Sequence, residues 1–238
     1  MRRSDVRTTL RNLLAPAVIT SAMALMAASP AHAAVLWTAD PASGTGSFSY
    51  TACDGGSITT HDGNDGHGPV FRLDKPAGSD RCEVAGAAGR TWSNDTTYWW
   101  GWRLRTSTPD AQTVFQWKSW GTGEEQQQNY PVLMKVEDGR LKIWYVAPGE
   151  IWKPVGSREW TTTGYHKIEL GITTRSDNTG SFALYVDGSL VVDQRSVRTW
   201  DDRGNNPRWG TYGSAIGDVD STVWIDDLRL GQTRADVD

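Results

Sequence analysis

After residue 36 the sequence repeats one pattern: short runs that alternate apolar and polar side chains, each closed by a turn signal. Residues 113–117 (Thr-Val-Phe-Gln-Trp) alternate as a half-buried strand does, with successive side chains on opposite faces. Residues 132–136 and 141–146 flank the turn Glu137-Asp138-Gly139-Arg140, and residues 181–186 and 190–192 flank Asp187-Gly188. Both read as β-hairpins. Residues 166–172 alternate again, and 223–230 supply a last strand. No stretch after residue 33 sustains a helical period. Many short strands at regular intervals predict an all-β jelly-roll sandwich of two antiparallel sheets. The 25 Gly and 10 Pro scattered through 238 residues exclude a coiled coil or helical array, and 38% hydrophobic content with 13 Trp excludes a chain too polar to collapse. With no linker-like break, a single domain is expected. The polar stretches 61–69 and 121–129 read as long loops, of the kind that borders a binding groove.

Residues 1–33 read as an export signal. Arg2, Arg3, Arg7 and Arg11 precede an apolar run over 13–26, and Ala31-His32-Ala33 has the small-x-small form of a signal peptidase site. The run is shorter than the roughly 20 apolar residues that span a bilayer. The expected organisation is a signal over 1–33, cleaved near Ala33, and one secreted domain over 34–238 with no membrane partner. The whole chain carries a net charge of −4; without the signal it holds 20 basic and 27 acidic residues, a net of −7. That balance argues against a nucleic-acid partner, although an acidic protein can carry a local basic cleft. The two cysteines, Cys53 and Cys82, are expected to pair as a disulfide in an oxidising compartment rather than to supply a catalytic thiol. Nothing resembling a long apolar edge is present, so a monomer is expected.

Thirteen Trp and seven Tyr in an exported β-protein point to sugar binding, since aromatic faces stack on pyranose rings. Trp99, Trp100 and Trp102 cannot all face one way on a strand, so at least one should leave the core. Histidine-based metal chemistry is poorly supported: after the signal only His61, His67 and His166 remain, without ligand spacing, and His166 at a strand start reads as structural. Residues 62–66 lack the ligand alternation and distal Glu of a calcium loop. Asp201-Asp202 and Asp226-Asp227 are better placed for a hard cation, with Asp201 the candidate ligand. There is no G-x-S-x-G motif for serine-hydrolase chemistry. No carboxylate pair on one strand face suggests a glycosidase, because Glu124-Glu125 and Glu137-Asp138 fall in loops or turns.

Three blocks say more together than apart: Arg81-Cys82-Glu83, Gln116-Trp117-Lys118 and Arg208-Trp209-Gly210-Thr211-Tyr212. In the first two, residues i and i+2 share a strand face. Arg208 and Tyr212 share one if their segment is extended. The three faces would present cations, an amide and a phenol.

With these blocks the chain resembles the jelly-roll, concanavalin-like polysaccharide lyases, and most of all the glucuronan lyases. The resemblance runs over nearly everything after residue 33. It covers Trp37-Thr38-Ala39-Asp40-Pro41, Ser79-Asp80-Arg81-Cys82-Glu83, Phe115-Gln116-Trp117-Lys118-Ser119, Asn129-Tyr130-Pro131-Val132 and Trp209-Gly210-Thr211-Tyr212-Gly213. The blocks also resemble the R-x-E, Q-x-H and K-x-G-x-Y blocks of jelly-roll alginate lyases. The resemblance implies β-elimination on an acidic polysaccharide, with no cofactor required for chemistry and a structural calcium as an accessory. It implies Tyr212 as base and acid, Gln116 as the group that neutralises the uronate carboxylate, and Arg81, Glu83, Lys118 and Arg208 as substrate-binding or activating groups. A phenol ionises near pH 10, so a tyrosine base needs a cationic neighbour. Arg208, four residues before Tyr212, is the natural candidate, and Lys118 the second.

One departure matters. Lys118 stands where alginate lyases carry histidine, which disfavours guluronate, whose C5 proton and C4 oxygen lie on opposite ring faces. His61 or His67 would have to supply any missing imidazole. The leading expectation is an endo-acting lyase of a β-1,4-linked polyuronate, best matched by glucuronan. An alginate (polymannuronate) lyase and a non-catalytic carbohydrate-binding module are the alternatives, and a glycoside hydrolase ranks last.

Overall fold

A computed structural model describes residues 34–63, 68–121, 127–213 and 217–238. Fifteen strands lie among them: β1 (Trp37–Thr38), β2 (Tyr50–Cys53), β3 (Ser57–Gly63), β4 (Gly68–Lys75), β5 (Arg81–Ala85), β6 (Thr97–Thr106), β7 (Gln112–Ser119), β8 (Val132–Glu137), β9 (Arg140–Ala147), β10 (Ile151–Glu159), β11 (His166–Thr173), β12 (Gly180–Val186), β13 (Ser189–Val197), β14 (Asn205–Tyr212) and β15 (Ser221–Gly231). A back sheet runs β13-β12-β11-β6-β15-β4-β3, with β1 added on β15, and a front sheet runs β10-β9-β8-β7-β14-β5-β2. Both are antiparallel, the sandwich that the alternating runs predict.

The two hairpins sit where the Asp-Gly signals place them. Asp138 and Gly139 (φ 55° and 67°) turn β8 into β9, and Asp187 and Gly188 (φ 50° and 74°) turn β12 into β13. Two successive positive φ angles match the right-handed twist of the flanking strands, which is why Asp-Gly is favoured there.

Alternation also divides the tryptophans. On β6, Trp100 and Trp102 are fully buried, while Trp99 turns to the opposite face and lies beside Tyr185, with ring centroids 6.4 Å apart. Between the sheets, Trp100 meets Trp209 of β14 at 5.2 Å and Trp102 stacks on Phe115 of β7 at 5.4 Å. Each such side chain contributes about 1.5–3 kcal/mol by leaving water, so this aromatic layer fixes how the front sheet sits on the back one.

Cys53 and Cys82 form the expected disulfide. They face each other across β2 and β5, so the bond secures the edge strand of the front sheet.

The stretch 61–69 is not the long loop expected from its composition. β3 runs to Gly63 and β4 starts at Gly68, with Asp62 opposite Pro69 and His61 opposite Val70. The strand pairing continues through polar residues because these are the outer strands of the back sheet, where polar side chains meet water. His67 lies outside the described residues, as do Glu124 and Glu125. His166 begins β11 as a structural residue: its Nδ1 lies 2.8 Å from Asp187 Oδ2 and its ring 4.3 Å from that of Trp160.

β14 approaches β5 closely at Gly210, whose φ is 147°. A Cβ there would lie 2.2 Å from the Cys82 carbonyl oxygen and 2.7 Å from the Glu83 Cα. Gly210→Ala is therefore expected to lower stability by about 1–3 kcal/mol from backbone strain alone, with further loss from the overlap. Urea unfolding checks this; an unchanged midpoint would contradict it.

Candidate active site

Strand register brings the candidate residues together. On the outward face of the front sheet, one transverse row runs Tyr50 (β2), Ala85 (β5), Arg208 (β14), Gln116 (β7), Leu133 (β8) and Trp144 (β9). A parallel row runs Arg81 (β5), Tyr212 (β14), Thr113 (β7) and Lys135 (β8). Alternation along β14 puts Tyr212 on the same face as Arg208, and register shifts against β7 and between β7 and β8 absorb the extra residues so that Thr113 and Lys135 fall in line with Tyr212. The rows floor a cleft of about 300 Å³, lined among others by Arg81, Gln116, Lys118, Tyr130, Lys135, Trp152, Arg208 and Tyr212.

Glu83 sits between Arg81 and Ala85 on β5, opposite Gly210. Because Gly210 carries no side chain, the Glu83 carboxylate reaches over β14 to β7, where Gln116 Nε2 donates to its Oε1 at 2.7 Å. Both residues are 2% exposed. Burial raises the Glu83 pKa, against the opposing pull of the Gln116 hydrogen bond and of Arg208, Arg81 and Lys118. The other carboxylate oxygen, Oε2, has no hydrogen-bond partner among the described residues. Glu83 is thus not the substrate-contacting group that the resemblance implies. It lies beneath the cleft and anchors Gln116, leaving that amide one further N–H to offer.

The cations also sit differently from expectation. Arg81, not Arg208, lies over the Tyr212 ring, its guanidinium carbon 4.4 Å from the centroid. Arg208 instead lies 5.3 Å from the ring centroid of Tyr50. Along β14, Arg208 and Tyr212 occupy two different transverse rows, whereas Arg81 is the direct cross-strand partner of Tyr212. Lys118 shares its strand face with Gln116, as its spacing predicts, and its pKa is held down to about 8 by burial and by the charge of Arg208.

Tyr50, Tyr130, Lys135 and Trp152 join the site without having been singled out as candidates. Tyr130 stands in a block already quoted for the resemblance, and its pKa is raised by burial, by Glu150 and by the nearby Tyr212. Lys135 was legible as the i+2 neighbour of Leu133 on an alternating strand. Tyr50 arrives through the long-range pairing of β2 with β5, and Trp152 through the packing of its ring on Tyr130 and Trp144. His61 lies on β3 of the back sheet and does not line the cleft.

Asp201 does not suit a calcium ion. It is fully buried; its Oδ1 accepts from Ser119 Oγ at 2.9 Å and Arg203 N at 3.0 Å, and its Oδ2 from Gln127 N at 3.1 Å and Gln128 N at 2.9 Å. Donors occupy the oxygens that a cation would need. Its work is to pin residues 127–128 and the end of β7 beside Lys118. Asp202 pairs with Arg198 and Asp227 with Arg229. Among the described residues no cluster of three His, Cys, Asp or Glu converges.

The polysaccharide lyase family matches residues 48–229, most of the chain. No curated protein matches the sequence significantly. Among solved structures, an endo-β-1,4-glucuronan lyase from the fungus Trichoderma reesei superposes with a TM-score of 0.63 at 20% identity, covering 80% of this chain and 93% of its own. Alginate lyase AlgAT5 of polysaccharide lyase family 7 gives 0.53 at 12% identity over 73% and 82%. A marine alginate lyase from Aplysia kurodai gives 0.53 at 11% over 74% and 87%. The shared fold is the jelly-roll sandwich, and with the family match over residues 48–229 the chain belongs to the polysaccharide lyases.

Proposed function

We propose that this chain is a secreted, endo-acting lyase that cleaves a β-1,4-linked polyuronate, glucuronan foremost, by β-elimination. The observation that carries the reading is the phenol of Tyr212 beneath the Arg81 guanidinium, in one cleft with the Gln116 amide and the cations Lys118, Lys135 and Arg208. Export is part of the proposal. The basic and apolar start of the chain supports a signal over 1–33, and the Cys53–Cys82 disulfide suits an oxidising compartment.

The chemistry follows from what the substrate lacks. The C5 proton of a uronate is hard to remove while the adjacent carboxylate carries its full charge. Gln116, held by Glu83, has an N–H to offer that carboxylate, and the surrounding cations stabilise the dianion that develops as the proton leaves. Tyr212 takes the C5 proton, the electron pair forms the C4=C5 double bond, and the C4–O bond breaks. In glucuronate the departing oxygen lies on the same ring face as that proton, so Tyr212 can return the proton to it. Arg81 keeps a positive charge beside the phenol while its oxygen is negative. The products are one chain with a new hydroxyl end and one with an unsaturated uronate end.

Tyr212→Phe tests the assignment. Release of unsaturated uronate from glucuronan, followed by ultraviolet absorbance, should fall about 10²- to 10⁴-fold, with polymer affinity little changed. An undiminished rate would overturn the role of Tyr212, and binding without turnover in the unaltered protein would favour a carbohydrate-binding module.

The proposal also fixes a pH dependence. Lys118 is an ammonium below about pH 8 and neutral above it, so its attraction for substrate carboxylates is present below that pH and fades above it. KM for glucuronan should therefore rise as pH passes 8. In Lys118→Arg, which keeps its charge, that rise should be absent. A flat KM across pH 8 in the unaltered protein would contradict this role for Lys118.

A further inference from the structure

The cleft is flanked by two aromatic pairs that the elimination chemistry does not use. On the β10 side, Trp152 is 38% exposed although it packs against Trp144 (centroids 5.7 Å apart) and Tyr130 (5.2 Å). The Lys135 ammonium lies 5.3 Å from the Trp152 ring. On the β2 side, Trp120, just past the end of β7, is 49% exposed and lies 6.2 Å from Tyr50, whose ring also meets Arg208. Each pair thus combines a half-exposed indole, a tyrosine and a cation. Large aromatic rings left in water cost solvation free energy, and here the two indoles stand to either side of the candidate reacting groups.

Resting on the lyase reading above, we infer that Trp152–Tyr130 and Trp120–Tyr50 are two sugar-stacking subsites that hold a polyuronate chain on either side of the bond that breaks. The polymer then lies across the strands, along the transverse rows. An indole offers a flat apolar face to a pyranose ring, and the cation that accompanies each aromatic pair answers the carboxylate that every uronate unit carries. Hydrophobic stacking alone would suit a neutral glucan equally well; the pairing of Trp152 with Lys135 and of Tyr50 with Arg208 selects an acidic one.

Strand spacing sets the length of the track. Neighbouring strands lie about 4.8 Å apart, comparable to the advance of a β-1,4-linked chain per sugar. Tyr50 on β2 is two strands from β14, which carries Tyr212, and Trp152 on β10 is three strands from β7, which carries Gln116. Both platforms are therefore filled by an oligomer of roughly six units or more, and a trimer reaches at most one of them.

The test measures KM on size-fractionated glucuronan oligomers, from trimer to polymer, for the unaltered protein, Trp152→Ala and Trp120→Ala. KM of the unaltered protein should fall as the oligomer grows to about six units and then level off. Each variant should raise KM by about fivefold or more on the polymer, the ratio to the unaltered protein shrinking as the oligomer shortens. Trp152→Phe, which keeps a flat ring, should restore most of the loss. A ratio that is the same at every length would mean general damage rather than a lost subsite, and no change in KM would remove the platform altogether; either result overturns the inference. Retardation of each protein in gels containing glucuronan separates this outcome from failure of the lyase reading. If no uronate is eliminated, weaker retardation of the two alanine variants still supports the platforms, and equal retardation of all three, or none of any, overturns them.

Discussion

Trp209 is buried between the sheets against Trp100 and Phe115, and much of the site depends on that anchorage. Successive side chains on a strand point to opposite faces. Once Trp209 faces inward, Arg208 must face outward, Gly210 must occupy the narrow approach to β5, and Tyr212 must emerge over the cleft. β14 lies between β7 and β5, so this single strand sets where Gln116 and Lys118 stand on one side and Arg81 and Glu83 on the other. The core and the site are two faces of the same strands. A change that loosens the aromatic layer would therefore shift the cleft as well.

The electrostatics concentrate opposite to the protein's overall charge. The chain is net acidic, yet the cleft gathers Arg81, Lys118, Lys135 and Arg208 around one buried carboxyl group. A polyanion is attracted by the local field rather than by the net charge. Glu83 does not cancel that field cheaply, because burial favours its neutral form. Its geometric role follows from its position: it reaches across Gly210 to orient Gln116 from beneath. Burial and the charge of Arg208 hold the Lys118 pKa down to about 8, so this cation responds in an accessible pH range.

Much of the fold was legible because it rests on local rules. Asp138-Gly139 and Asp187-Gly188 mark their own hairpins, Trp99 separates from Trp100 and Trp102 by alternation, and an isolated cysteine pair finds itself across adjacent strands. The blocks around Arg81, Gln116 and Tyr212 pointed to one surface, and register brings all three there. Partnerships within that surface were not legible. Proximity in sequence favoured Arg208 as the neighbour of Tyr212, but cross-strand pairing gives that place to Arg81. Tyr50 comes from β2, which pairs with the sequence-distant β5, and the approach of Trp152 to Tyr130 and Lys135 is a side-chain contact; no local pattern reports either. Asp201 looked like a cation ligand because its carboxylate is conspicuous in sequence, whereas the backbone N–H groups that satisfy it carry no sequence signature.

The most direct measurement of the central claim is the mass and NMR spectrum of the chain ends released from glucuronan. β-Elimination predicts that every new non-reducing end carries a C4=C5 double bond and is lighter by one water than the product of hydrolysis. Saturated ends of full hydrolytic mass would contradict the elimination chemistry assigned to Tyr212 and Gln116.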